Sequence, residues 1–389
     1  MSNVVEVYPH ARSEDYWLEL MPEAELEYSL NEVKRAGKIL RDQEPGSQEY
    51  GDALAVFANW RQCHSVPLNQ FYEVLQQYAR LTSMGAPVAS VVHRPKRVEA
   101  VIAKLRRDHN AQLSTMHDIA GCRVIVRAVR DVATVIEACR FMFARHKLGH
   151  VYPYIERPNL KTGYRGVHLV YSFQSEHKAF NGRLIEIQIR TSAQHAWATT
   201  VETVDLIQKQ SLKSGHGDAR WQRFFTLMSS AIAVRESCPI VPGTPADRVA
   251  LEDELRRYED MLQVYRHLGF YSSFARTIGR RYEGMERVQH QESKRLKFFL
   301  MQLSVESREL SVAAYREHEV QEAYRDVAEA ERAGKNVVLA GAEDFAHLKE
   351  AYPNWFVDTF NFLKILEATL GEDVAISKTK RPGSGLPPA

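Results

Sequence analysis

The stretch Arg183-Leu184-Ile185-Glu186-Ile187-Gln188-Ile189-Arg190-Thr191 decides the fold of the central part of the chain. Its isoleucines alternate with an acid, an amide and a guanidinium, which is the period-2 pattern of a half-buried β-strand. The isoleucines are therefore expected to face a core, with the polar side chains in a row on the opposite face. A carboxylate in such a row can bind a metal ion or accept a proton, and an arginine can bind phosphate. The commoner origin of this pattern is a solvated outer strand face.

The composition describes a chain that is long enough for two or three domains, with 389 residues of which 44% are hydrophobic. The 51 Lys and Arg nearly balance the 49 Asp and Glu, so binding to phosphate or nucleic acid would depend on local basic patches. The four cysteines form no C-x-x-C pair, which argues against a disulfide framework or a zinc knuckle. Since neither a signal peptide nor a membrane-spanning run is evident, we expect a soluble cytoplasmic protein without membrane contacts.

Strands and helices alternate around the opening stretch, which predicts an α/β (α+β) fold with a mixed β-sheet core flanked by helices. The predicted strands of this core are Cys122–Val129, Val151–Ile155, Val167–Phe173 and Arg183–Arg190, with a helix near 131–145. Upstream, helical patterns cover 14–42 and 48–84, the second interrupted by Pro67, and 97–108 reads as a basic amphipathic helix. Downstream, helices are predicted at about 192–211, 218–236 and 249–292.

The last third of the chain has a separate pattern. Two strands, a helix, a strand and a helix predict a small C-terminal ββαβα accessory domain at Phe298–Val305, Glu309–Tyr315, about 318–333, Asn336–Ala340 and 344–371. We therefore divide the chain into an N-terminal helical region 1–88, a core 89–240, a helical linker 241–294, an accessory domain 295–375 and a disordered tail 376–389.

Cations cluster before the first predicted core strand. Arg94, Lys96 and Arg97 precede a helix that carries Lys104, and so many cations near a helix N-terminus can form a polyphosphate cradle. A solvated basic face explains this cluster on its own about twice as readily.

Asp118 precedes the predicted strand Cys122–Val129, and Arg123 lies near its start. Asp118 could form a two-carboxylate magnesium site with Glu186, because magnesium needs few protein carboxylates when substrate phosphates complete its shell. A turn or N-cap aspartate is the alternative. The pair His117-Asp118 also suggests a metal hydrolase, which we reject because the preceding hundred residues lack further suitably spaced His and Asp ligands.

A glycine-flanked turn, Lys161-Thr162-Gly163-Tyr164-Arg165-Gly166, leads into the strand that contains His168. A tyrosine held in such a turn can stack on a purine base, with Lys161 and Arg165 near its phosphates or ribose. The helix after the opening stretch carries His195, which shares a face with Thr199 and Glu202. A single histidine of this kind is more often a packing or capping residue than a catalyst.

Taken together, five ordered segments over roughly 90–205 resemble the synthetase domain of the RelA/SpoT alarmone synthetases. The matching segments are Arg94-Pro95-Lys96 with Lys104, Asp118–Arg123, Gly163-Tyr164-Arg165 with His168, Glu186–Thr191, and His195 with Trp197-Ala198. The resemblance implies a synthetase-only enzyme that transfers pyrophosphate from ATP to the ribose 3′-hydroxyl of GDP or GTP, with Mg²⁺. Transfer of this kind needs in-line positioning, a metal and cations more than covalent groups.

The resemblance also implies residue roles. Asp118 and Glu186 would hold Mg²⁺, and Glu186 would also activate the hydroxyl. The remaining catalytic residues would be Gln188, Arg190 and His195. ATP would be bound by Arg94, Lys96, Lys104 and Arg123, and the acceptor nucleotide by Tyr164, Lys161, Arg165 and His168.

Two alternatives stay open. The sequence of His195–Val204 resembles that of a subgroup that includes toxic or defence-type synthetases. Some members of that subgroup pyrophosphorylate the 3′ end of tRNA. A tRNA enzyme needs an extended basic surface, for which the candidates are Arg106, Arg107, Lys209, Lys213, Arg280 and Arg281. The second alternative is a catalytically inactive regulatory module, which the intact Asp118 and Glu186 disfavour. The resemblance further leaves open an antitoxin or phage protein as controlling partner, and oligomerisation.

Overall fold

The computed structural model describes residues 13–21, 25–81, 88–208, 210–269, 296–304, 309–333, 335, 337–342, 348–349, 352 and 359–371. The predicted disordered tail and parts of the helices predicted at 249–292 and 344–371 lie outside these residues.

A five-stranded mixed sheet forms the centre of the molecule, as predicted. Its strands are β1 (Val88–Pro95), β2 (Ala120–Val126), β3 (Lys147–Pro153), β4 (Val167–Ser172) and β5 (Leu184–Thr191). Their order in the sheet is β1-β2-β5-β4-β3. The β2–β5 pair is parallel and the other pairs are antiparallel. The sequence pattern predicted four of these strands, and β1 was not among them.

Helices precede, connect and follow the five strands in the sequence. They are α1 (Glu14–Leu20), α2 (Leu30–Asp42), α3 (Gln48–Gln62), α4 (Ser65–Leu81), α5 (Val98–Arg107), α6 (Val129–Met142), α7 (Ser192–Gln208), α8 (Ala219–Arg235) and α9 (Arg248–Leu262). The α3–α4 break falls at Cys63-His64, whereas Pro67 lies in the first turn of α4. The prediction that Pro67 interrupts the helix was wrong, because a first-turn residue needs no backbone N–H donor.

Strand β5 confirms the predicted core face, since Ile185, Ile187 and Ile189 are completely buried. They pack in one hydrophobic cluster with residues of β2, β4, α4 and α6. The opposite face is also covered: Glu186 is 7%, Gln188 5% and Arg190 3% exposed. The interpretation of this row as a solvated strand face is therefore wrong.

The C-terminal elements follow the predicted β-β-α-β-α order. They are β6 (Leu296–Ser304), β7 (Glu309–Arg316), α10 (Val320–Arg332), β8 (Val337–Gly341) and α11 (Phe360–Leu370). The three strands form a second antiparallel sheet in the order β7-β6-β8. Its residues join both hydrophobic clusters that cover the five-stranded sheet, with Phe298 in one and Phe299 in the other. None of the helices in the described ranges is long and apolar enough to span a membrane.

Candidate active site

A closed ring of hydrogen bonds lies on the polar face of β5 and β4. The Tyr164 hydroxyl is 2.6 Å from His168 Nε2, and His168 Nδ1 is 2.8 Å from Glu186 Oε1. Gln188 Nε2 donates to Glu186 Oε2 at 2.6 Å. Arg190 closes the ring, since its NH2 group donates to Gln188 Oε1 at 3.0 Å and its Nε donates to the Tyr164 hydroxyl at 2.9 Å. Three predicted catalytic side chains (Glu186, Gln188 and Arg190) and two predicted acceptor-binding side chains (Tyr164 and His168) thus form one connected network.

Electrostatics reinforce this ring. Burial lowers the pKa of His168, but Tyr164 and Glu186 outweigh burial and raise that pKa to about 9. Burial raises the pKa of Tyr164, but Arg190 and His168 outweigh it and lower that pKa to about 8. The Arg190 guanidinium also lies 4.8 Å from the centre of the Tyr164 ring. At neutral pH, His168 is therefore an imidazolium paired with the Glu186 carboxylate.

Two glycines allow the turn that brings Tyr164 into the ring. Gly163 has φ +77° and Gly166 φ +151°, which are conformations that side-chain-bearing residues rarely adopt. A Cβ at Gly166 would lie 3.0 Å from the Tyr164 hydroxyl oxygen and 3.2 Å from Arg190 Cγ. Asn159 supports the turn, because its side-chain oxygen accepts from the backbone N–H groups of Lys161 and Thr162 at 3.0 and 3.1 Å.

A second cluster joins two lysines to Asp118. The carboxylate accepts from the Lys104 ammonium at 2.9 Å and also from the Lys96 ammonium. Lys104 projects from α5, and the backbone N–H of Lys96 donates to Ile119 O at 2.9 Å, which holds the end of β1 beside the start of β2. Burial raises the pKa of Asp118, but Lys96 and Lys104 outweigh burial and hold that pKa well below its usual range.

The sheet register brings the two clusters to neighbouring strands. Gly121 pairs with Glu186 across the β2–β5 ladder and with Arg94 across the β1–β2 ladder. A Cβ on Gly121 would lie 2.2 Å from the backbone oxygen of Glu186 and 3.3 Å from its Cβ. Gly121 therefore permits close approach of β2 to the strand that carries Glu186. Because Gly121 lies three residues after Asp118, this approach also brings the lysine–aspartate cluster towards β5.

The other predicted site residues are placed differently. Arg123 is 3% exposed and pairs with Gln188 across the β2–β5 ladder, so it lies on the polar face of the sheet. Arg94 lies on β1 opposite Gly121, while its side chain is outside the described part of the chain. His195 is 6% exposed on α7.

The structure does not bring Lys161 or Arg165 into the ring. Lys161 is exposed. Arg165 is buried, and its guanidinium donates to Ser229 Oγ at 2.9 Å, to Ile155 O at 3.1 Å and to Pro239 O at 2.7 Å. These contacts anchor the loop on α8, so the acceptor role of Arg165 stays a prediction without a described contact in its favour.

An aromatic row beside the ring was not predicted. The near-parallel rings of Tyr152 and Tyr154 have centroids 5.9 Å apart, and those of His150 and Tyr152 are 6.1 Å apart. His117 stacks on His150 at 4.8 Å, and the Tyr152 hydroxyl is 3.2 Å from His117 Nδ1. Tyr154 meets the Tyr164 ring edge-on at 5.7 Å, which joins the row to the ring of hydrogen bonds. The i, i+2, i+4 spacing of His150 and Tyr152 on β3 and Tyr154 just after it is the sequence signal that could have revealed the row.

The donor chemistry of the site fits Mg²⁺. Within the described residues, no group of three or more His, Cys, Asp or Glu side chains could hold a metal ion. Asp118, two residues before β2, and Glu186, on the neighbouring strand β5, supply hard carboxylate oxygens. Mg²⁺ is usually held by one or two carboxylates together with substrate phosphates. This donor set therefore suits a metal that arrives with a phosphorylated substrate.

Comparison with known proteins defines the class of this site. Residues 93–210 match the family model described as the region found in RelA / SpoT proteins, which confirms the predicted resemblance. All residues of the ring and of the lysine–aspartate cluster lie within these residues.

Two curated Bacillus subtilis (strain 168) proteins are similar to part of this chain. The GTP pyrophosphokinase YjbM is 35% identical over 119 residues, which are 29% of this chain and 54% of YjbM. The GTP pyrophosphokinase YwaC is 28% identical over 142 residues, which are 34% of this chain and 65% of YwaC. The chain thus spans between half and two thirds of the length of these relatives. Among solved structures, the small alarmone synthetase 1 of Bacillus subtilis aligns with a TM-score of 0.39 and 26% identity, over 49% of this chain and 94% of that one.

Proposed function

We propose that the chain is an ATP-dependent pyrophosphotransferase that moves the β,γ-pyrophosphate of ATP to the ribose 3′-hydroxyl of GDP or GTP. The observation that carries this proposal is the Glu186 carboxylate, which is fixed between His168 and Gln188 one strand away from the cluster of Asp118, Lys96 and Lys104. A proton acceptor thereby lies next to a set of cations that suits polyphosphate. The match of 93–210 to the RelA / SpoT family model and the similarity of the chain to two GTP pyrophosphokinases support the same reaction.

The donor side of this site consists of cations around a carboxylate. Lys96 and Lys104 present ammonium groups that can move from Asp118 to phosphate oxygens, and Arg94 and Arg123 lie on the two strands beside them. Asp118 and Glu186 would hold Mg²⁺, which when bound neutralises charge that develops on the transferring phosphates.

The acceptor side would hold the hydroxyl at Glu186. The carboxylate takes the proton of the ribose 3′-hydroxyl while the 3′-oxygen forms a bond to the β-phosphorus of ATP. The bond between that phosphorus and the oxygen shared with the α-phosphate breaks, and AMP leaves with its electron pair. Tyr164, held beside His168, would lie against the acceptor base. Since the ring positions Glu186 before substrates bind, proximity and orientation supply much of the rate enhancement.

Transfer of label from γ-labelled ATP to GDP, GTP, AMP and total tRNA, assayed in parallel, tests this function. Label is expected in GDP or GTP, and Glu186→Gln is expected to abolish its transfer because the amide cannot accept the proton. Glu254→Gln is the matched control, since Glu254 also pairs with a cation, Arg223 at 2.8 Å, on helices outside the site. Label in no acceptor would contradict the proposed reaction and favour a regulatory binding module.

The 3′ end of tRNA is a second candidate acceptor, which the aromatic row of His117, His150, Tyr152 and Tyr154 favours. One stacking residue suffices for a single nucleotide, whereas a row of rings can stack successive bases of a single strand. If tRNA is the acceptor, Tyr152→Ala is expected to weaken transfer to tRNA, since stacking on an aromatic residue contributes about 1–3 kcal/mol per base. Label that appears in tRNA alone would replace the first candidate by this one.

The predicted basic surface for tRNA is only partly described. Lys209, Arg280 and Arg281 lie outside the described residues. Lys213 pairs with Glu202, and Arg107 donates to Ser214 Oγ at 2.7 Å. The aromatic row is therefore the stronger argument for this acceptor.

A further inference from the structure

The C-terminal sheet attaches to the open edge of β1, which lies at one end of the five-stranded sheet. Two outward carbonyls of this edge accept side-chain hydrogen bonds. Val91 O accepts from Gln76 Nε2 at 3.1 Å, and His93 O accepts from the hydroxyl of Tyr352. A Cβ on Gly341, the last residue of β8, would lie 2.9 Å from His93 Cβ. The edge of β1 is thus covered by α4 at Val91 and by the C-terminal part of the chain at His93.

A partly buried ion pair makes a second attachment. Arg61 of α3 donates to both carboxylate oxygens of Glu331 of α10, at 2.9 and 2.6 Å. The side chains of the pair are 13% and 9% exposed. The bidentate geometry fixes the orientation of the two planar groups as well as their distance.

Both attachments converge on the residues that begin the proposed ATP site. His93 directly precedes Arg94, and the cavity beside the Arg61–Glu331 pair is lined by Lys96 and Arg97 together with Tyr324 and residues of β8. Lys96 in turn holds Asp118. The C-terminal unit therefore packs beside the segment Pro95–Arg97, which carries donor-side cations.

We propose that the C-terminal unit, β6–β8 with α10 and Tyr352, is a positioning element for the nucleotide donor. The Arg61–Glu331 pair and the Tyr352–His93 bond fix the end of β1 and with it Lys96. Neither Arg61 nor Glu331 needs to touch substrate for this role. The inference rests on the proposed function, because that function assigns Lys96 to ATP.

Glu331→Gln tests the role of the ion pair in the full-length protein. Binding of α,β-methylene ATP is measured by calorimetry, and KM for ATP, KM for the acceptor and kcat are measured by transfer of label. We expect the Kd of the analogue and the KM for ATP to rise roughly tenfold or more, since a misplacement of about 1 Å can cost a hundredfold. The KM for the acceptor is expected to stay unchanged. Glu254→Gln, which loosens a comparable pair on α8 and α9, is expected to change none of these values.

Each outcome decides the inference. If Glu331→Gln is folded and binds the analogue as the wild type does, the unit does not position the donor site. Tighter analogue binding or faster transfer would also overturn the inference, since the unit would then be inhibitory. Should Glu331→Gln fail to fold, Tyr352→Phe removes only one hydroxyl and the same shift in analogue binding is expected. A wild type that binds the analogue but transfers label to no acceptor contradicts the proposed function, while the calorimetric comparison still tests the positioning role.

Discussion

Replacement of Gly121 by alanine tests whether close approach of β2 to β5 sets the position of Glu186. The added Cβ would lie 2.2 Å from the Glu186 backbone oxygen, and contacts below 3.0 Å essentially never occur for a Cβ. The backbones of β2 and Glu186 must therefore separate by about 0.8 Å or more, and we expect Glu186 to take up part of this shift. A displacement of this size at a catalytic group can reduce the rate about a hundredfold, equivalent to about 2.7 kcal/mol. Overpacking should also lower the free energy of unfolding by about 1–3 kcal/mol.

The assay pairs kcat/KM for pyrophosphate transfer with the midpoint of thermal unfolding. Gly149→Ala is the matched control, because a Cβ on Gly149 of β3 would lie at an ordinary 3.6 Å from Val170 O. We expect Gly149→Ala to keep wild-type activity and Gly121→Ala to lose most of it while still folding. A folded Gly121→Ala variant with wild-type kcat/KM would refute the reasoning, since the position of Glu186 would then not depend on the close approach of the strands.

Two further predictions concern the titration of the ring. Tyr164→Phe removes the hydroxyl that contacts His168 Nε2 at 2.6 Å. The pKa of His168 is therefore expected to fall from about 9 towards its ordinary value, which NMR of the imidazole can follow. An unchanged pKa would contradict the assigned contact. The raised pKa of His168 means that its pairing with Glu186 stabilises the fold fully below about pH 6.5 and that this contribution is lost as the pH rises through about 9. The lowered pKa of Tyr164 means that ionisation of this side chain adds to the free energy of unfolding as the pH rises above about 8. The free energy of unfolding should therefore fall mainly between about pH 6.5 and 8. In the variant His168→Gln, the free energy of unfolding measured by denaturant titration should depend less on pH over this range. An equal pH dependence in the variant and the wild type would count against the prediction.

The central strand could be predicted because local periodicity and burial agree there. Ile185, Ile187 and Ile189 alternate with polar residues, and one face packs in a core as the pattern indicates. Strand β1 could not be predicted in this way. Val91, Val92 and His93 are consecutive and all buried, because the C-terminal unit and α4 cover the outer edge and one face of the strand. A strand that is enclosed by distant parts of the chain shows no alternation in its own sequence.

The direction of a side chain in a turn could not be predicted from its neighbours. Tyr164 and Arg165 are adjacent, yet Tyr164 enters the ring while Arg165 is anchored by Ser229 on α8. Gly163 and Gly166, both with positive φ, flank the two residues. The sequence indicated that glycines allow a tight turn, but the partner of Arg165, Ser229, lies more than sixty residues away in the chain.

The two halves of the site differ in how ready they are for substrate. His168 holds one carboxylate oxygen of Glu186 and Gln188 holds the other, so the orientation of the carboxylate is set before a ribose hydroxyl binds. Asp118 is instead occupied by the ammonium groups of two lysines, both of which are proposed phosphate ligands. An ammonium group has three N–H donors, so Lys96 and Lys104 can bind phosphate oxygens while they still contact Asp118. Phosphate that draws the lysines away from Asp118 leaves a carboxylate that a cation entering with the nucleotide can compensate. The acceptor side is therefore preorganised around Glu186, whereas the donor side exchanges one set of charged partners for another when the nucleotide enters.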